Sequence, residues 1–79
     1  MANDKVAREL DRRVSVLLRE GLFHGTYRED FVGRWRDRLM RVSGAERDKL
    51  ALEALDECES DRERRGIIWA LEGSMLYER

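Results

Sequence analysis

The final stretch, Gly66 to Arg79 (GIIWALEGSMLYER), constrains the fold more than any other part of the chain. At 100° per residue Ile67, Ile68, Leu71 and Met75 fall on one side of a helix, the stripe expected to face a core. Trp69 and Leu76 lie on a different side, with Glu72 between them and the first stripe, and Ala70 and Tyr77 occupy another. A helix that is apolar almost all round is buried on several sides, either centrally in its own domain or against another chain. Gly66, Ala70 and Gly73 recur at i, i+4 and i+7 and would let another backbone come close. A glycine inside a helix costs roughly 0.5 to 1 kcal/mol relative to alanine, so close packing must offset it unless Gly66 is a cap just outside the helix. The packing partner is either another helix of the same chain or a second protein.

The rest of the chain supplies helices for that segment to pack on. There is no proline, and the glycines sit mainly near the expected helix ends. Asn3 is placed to N-cap a first helix that runs to about Glu20 and stops at Gly21, with Val6, Ala7, Leu10, Val14, Leu17 and Leu18 on one broad face. Phe23 turns inward from the connection GLFHG. Thr26 and Glu29 have the spacing of a capping box, opening a second helix from Tyr27 to about Val42 with Phe31, Val32, Trp35, Leu39 and Val42 inward and Met40 away. Ser43 and Glu46 repeat the box before a third helix, whose Ala51, Ala54, Leu55 and Cys58 form the apolar face with Leu52 off it. Ser60 and Glu63 offer a third box for the last helix. One continuous helix through Arg65 is also allowed, with Asp61–Arg65 or Glu59–Arg62 as ordinary intrahelical pairs and Gly66 as the break. The expectation is one domain over residues 1–79, an all-α bundle of four short helices near residues 3–20, 27–42, 45–58 and 61–78, or a three-helix variant.

Charged residues make up 42% of the chain yet the net charge is only −1, against a typical charged share of about 25%. Interspersed signs read as solvated helix faces, without a global case for nucleic acid or anionic membrane. The second helix is net basic and the third net acidic, so a hairpin through Ser43 and Gly44 would set complementary surfaces side by side. All of the sixteen basic residues except Lys5 and Lys49 are arginine. Arg34, Arg38 and Arg41 line one flank of the second helix and could hold phosphates or an acidic partner, or could be a solvated face paired with Asp37 and the third helix.

Other chemistry finds little footing. A helix-turn-helix reading would make the third helix the reader, but Glu46, Asp48, Glu53, Asp56, Glu57 and Glu59 outnumber Arg47 and Lys49 there, and the phosphate backbone rewards bases. His24 has no second histidine to share a metal, and Cys58 is the only cysteine, so neither a zinc site nor an internal disulfide is expected. Ser15, Ser43, Ser60 and Ser74 stand in no nucleophile motif, and no glycine-rich phosphate loop occurs. The opening MANDKVARELDRR lacks the apolar run of a secretory signal, and no segment nears the ~18 apolar residues of a membrane span. The first helix is amphipathic, but its apolar side is needed for the core, so membrane attachment is discounted.

The sequence therefore points to a cytoplasmic, non-catalytic protein–protein interaction module, an adaptor, inhibitor or small regulatory subunit. It uses no cofactor, metal or small-molecule substrate. Docking is expected through Trp69, Leu76, Gly66, Ala70, Gly73 and Tyr77 of the last helix, with a homodimer as one outcome, since a chain this small often gains stability from a partner. The alternative is a nucleic-acid-associated regulator working through Arg34, Arg38 and Arg41.

Overall fold

A computed structural model describes the backbone of residues 2–77 and the side chains of residues 5–72. It is a small all-α bundle of four helices, α1 (Ala2–Glu20), α2 (Glu29–Met40), α3 (Gly44–Glu57) and α4 (Asp61–Tyr77), with no strand among the described residues. The four-helix expectation holds over the three-helix variant, because the chain turns extended at Cys58 (φ −65°, ψ 143°). Gly66 is inside α4 and is not a cap.

The pairing of helices differs from the charge-based expectation. α1 packs mainly on α3 and α2 mainly on α4, while α2 and α3 touch less. Asp56 of the acidic α3 is held by Arg13 of α1 at 2.8 Å, so that charge is used across a different interface. Apolar shape decided the arrangement: an exposed ion pair is worth only ~0–1 kcal/mol, whereas burying one leucine or isoleucine side chain is worth about 1.5–3 kcal/mol. The core gathers Leu10 and Leu17 of α1, Val32, Trp35 and Leu39 of α2, Ala51, Ala54 and Leu55 of α3, and Ile67, Ile68 and Leu71 of α4. α4 packs on all three other helices, as its apolar breadth implies. Met40 is exposed as expected; Leu18 is also exposed, and Leu52 packs partly on the core.

The helix ends follow the expected boxes only in part. α1 begins at Ala2, so Asn3 lies within it and does not precede it. α2 begins at Glu29, not Tyr27, with Arg28 as its N-cap and no side-chain cap. Thr26 instead offers its carbonyl to the Ser60 hydroxyl. Ser43 occupies the N-cap of α3, yet its hydroxyl makes no capping bond. At α4 half of the box forms, with the Glu63 N–H donating to Ser60 Oγ at 3.2 Å. The Glu63 carboxylate reaches one residue further back than the pattern implies, accepting from the Glu59 N–H at 2.7 Å.

The connection Gly21–Arg28 crosses α4 and carries two left-handed residues, Phe23 (φ 52°) and Gly25 (φ 112°). Glycine takes such a conformation freely; a bulky aromatic rarely does. Phe23 is held there by packing against the core and by the Arg65 guanidinium, 4.4 Å from its ring centre.

Candidate interaction surface on the last helix

α4 has two sides built from overlapping residue types. On the inner side Glu63, Ile67 and Leu71 repeat at i, i+4 and i+8 and are all buried, with Ile68 beside them. A carboxylate on an apolar stripe needs donors, because an unpaired buried charge costs far more than the burial returns. Glu63, 0% exposed, has four. Arg28 Nε lies 2.8 Å from Oε2 and Arg28 Nη2 3.0 Å from Oε1, the Arg28 backbone N–H donates to Oε2 at 2.8 Å, and the Glu59 N–H donates to Oε1. Bidentate guanidinium–carboxylate pairing of this kind is strong and directional. The Arg28 bonds hold the Glu63 carboxyl down to about 2, with the two backbone N–H groups adding to them and burial opposing.

The clasp orders its surroundings. Arg28 also pairs with Glu59 at 2.9 Å and lies 4.0 Å over the Phe31 ring. Its neighbour Tyr27 is thereby laid on α4 at Gly66, where a Cβ would come within 2.9 Å of the Tyr27 hydroxyl oxygen and 3.1 Å of Val32 Cγ1. Arg64 completes the junction by donating to the Leu55 and Cys58 carbonyls, which closes the end of α3, and by pairing with Asp61 at 2.7 Å.

On the outer side Arg62, Arg65 and Trp69 follow at i, i+3 and i+7, and the Trp69 ring is 64% exposed. Arg65 sits between Phe23 and Trp69, 4.4 and 5.8 Å from their ring centres, and Arg62 lies 5.5 Å from Tyr27. Phe23, Tyr27, Arg62, Arg65, Gly66 and Trp69 line one open cleft. The acids that helical spacing would give these two arginines are engaged elsewhere. Glu59 is on Arg28, and Asp61 is on Arg64 and on the Leu22 N–H at 3.2 Å.

The docking residues expected from the sequence thus divide. Trp69 faces out. Gly66 packs under Tyr27 and Val32, so the chain's own α2 and its preceding loop fill the small-residue face there, and Ala70 is buried at 8% exposure. The side chains at Leu76 and Tyr77, and the surroundings of Gly73, lie outside the described residues. Arg34, Arg38 and Arg41 are all exposed. Arg34 donates to the Asp30 carbonyl at 3.3 Å, Arg38 lies over its own Trp35 ring at 4.4 Å, and Glu29, Asp30 and Asp37 share the face on which Arg34 stands. That face is mixed in sign and is not a basic strip.

The sequence reading missed the Arg28–Glu63 pair. The available signal was the position of Glu63 four residues before Ile67, which puts a charge on the core stripe and asks for a cation from elsewhere in the chain. Cys58 donates its thiol to the Ala54 carbonyl at 3.1 Å, and burial pushes it up to about 11, so at neutral pH it is a protonated packing residue. Among the described residues no group of three or more His, Cys, Asp and Glu could hold a metal ion, and no helix is long and apolar enough to cross a membrane. Compared with known proteins, the chain matches no family model, no curated protein and no solved structure.

Proposed function

We propose that this chain is a non-catalytic, cytoplasmic protein-interaction module that docks a protein through the outer side of α4, centred on Trp69. The observation that carries this reading is the exposure of Trp69, 64%, on a helix whose opposite side is buried at Glu63, Ile67 and Leu71. Large aromatic side chains in such positions dominate binding energy at many interfaces. The ring's setting adds support: Arg65 lies between it and the Phe23 ring, so it stands beside a supported surface. The inert Cys58 thiol and the saturated Glu63 carboxylate, which has no basic lone pair to spare, support a non-catalytic role. The homodimer expected from the sequence is one form of this docking. The nucleic-acid reading through Arg34, Arg38 and Arg41 is weaker, because Glu29, Asp30 and Asp37 are interleaved on that helix.

Replacing Trp69 by a photoreactive benzophenone amino acid and irradiating cells that express the protein tests the reading. A discrete protein adduct is expected from position 69 and none from the exposed Lys49 on α3. Equal yields at the two positions, or none at 69, would overturn it.

A further inference from the structure

We propose that the partner seated on the Trp69 face is a second copy of this chain, its α4 antiparallel to the first about a two-fold axis beside Trp69, so that Arg65 of each copy meets Glu72 of the other. The inference rests on the docking reading above and narrows its partner to one. Helix geometry carries it. Relative to Trp69, Arg65 lies about 40° round the axis and Glu72 about 60° round on the same flank, one before the ring and one after it. Roughly 10 Å of helix separates Arg65 from Glu72, and no ion pair joins them. Among the described residues Arg65 meets the rings of Phe23 and Trp69, its intrahelical acid Asp61 being held by Arg64 and the Leu22 N–H. Glu72 is exposed and stands at the edge of the cleft that also contains Arg47 and Asp48.

The order along this flank is therefore positive, aromatic, negative, and such a surface complements itself when reversed. A two-fold axis that sets helices antiparallel keeps each residue on its own flank, so Arg65 meets Glu72 at both ends and the tryptophans meet in the middle. Parallel packing would instead put the two Arg65 at one level on opposite flanks, with neither beside a Glu72. The other flank is closed to a second helix at Gly66, where Tyr27 already lies. Because each copy offers the same patch, the contact closes at two subunits.

Sedimentation equilibrium over a concentration series tests the arrangement with the protein itself. The wild type is expected to dimerise reversibly. Arg65→Glu and Glu72→Arg, each folded by circular dichroism, should each raise the dissociation constant about tenfold, since a reversal places two like-charged pairs in one interface. An equimolar mixture of the two variants should regain wild-type affinity, because a mixed dimer pairs opposite charges at both ends. Failure of the mixture to recover overturns the antiparallel pairing, and if Trp69→Ala still dissolves the dimer the docking reading stands without it. A wild type that stays monomeric at every concentration overturns the second-copy partner, and the photocrosslink at position 69 then decides the docking reading separately.

Discussion

The two sides of α4 use a carboxylate, arginines and aromatic rings to opposite ends. On the inner side Glu63 is sealed from solvent with four donors, and across the α2/α4 interface Trp35 is buried at 6% exposure. On the outer side Glu72 is exposed, Arg62 and Arg65 rest on rings with no acid paired to them among the described residues, and Trp69 faces water. Residue type does not separate the sides. What separates them is whether the Gly21–Arg28 loop delivers a matching group: Arg28 arrives at Glu63 and saturates it, while Phe23 arrives at Arg65 and leaves its in-plane N–H donors free for another acceptor.

The strongest way to break this contrast is to cut each side in turn. Glu63→Ala leaves two backbone N–H groups without their acceptor, at roughly 1 to 3 kcal/mol each, while Arg28, with its side chain 38% exposed, turns to water. Urea denaturation should register that loss. Trp69→Ala should change the same stability by no more than about 0.5 kcal/mol, as exposed substitutions do. Comparable losses for the two variants would place Trp69 in the core and dissolve the contrast.

Gly66→Ala is expected to have a smaller effect, a net loss of about 1 kcal/mol. The helix gains up to ~1 kcal/mol from the better helix former, and the new methyl group costs more by pressing on Tyr27 and Val32. Combined with Tyr27→Ala the loss should shrink or reverse, since the main obstacle is gone. An unchanged loss in the double variant would mean that Val32, not Tyr27, sets the spacing.

Acid titration tests the inner side by itself. The folded-state value of Glu63, about 2, lies below the ordinary 4.5. Its contribution is therefore fully present above pH 4.5 and is lost as pH falls toward 2. Glu63→Gln should flatten the decline in stability across that window. An undiminished decline in the Glu63→Gln variant would show that the clasp is not the source of acid sensitivity.

Much of the fold was legible because apolar periodicity fixes helix faces locally. The stripe of α2, the alanine-rich face of α3 and the Ile67–Leu71 side of α4 all point where the spacing says. The capping boxes at Thr26 and Ser43 gave element boundaries to within two residues, but not their hydrogen bonds. Glu63 lies far along the chain from Thr26 and Arg28, and its carboxylate met the Arg28 N–H, so the local box lost its purpose. The helix pairing was illegible from net charge for a related reason: exposed charges adapt to whichever interface the apolar faces select, as Arg13 and Asp56 do. Trp69 was legible as surplus apolar surface. That Gly66 and Ala70 would be consumed by Tyr27 and the core, leaving Trp69 exposed, depended on how the 21–28 loop crosses α4, and no local pattern encodes that path.

The most direct measurement is acrylamide quenching of Trp69 fluorescence in a Trp35→Phe variant, followed from dilute to concentrated protein. The account predicts a ring quenched freely when dilute and progressively shielded as concentration rises, with the shielding moved to about tenfold higher concentration by Arg65→Glu. A ring already shielded at the lowest concentration would return Trp69 to the core, and a ring equally quenched at every concentration would contradict a second copy on this face.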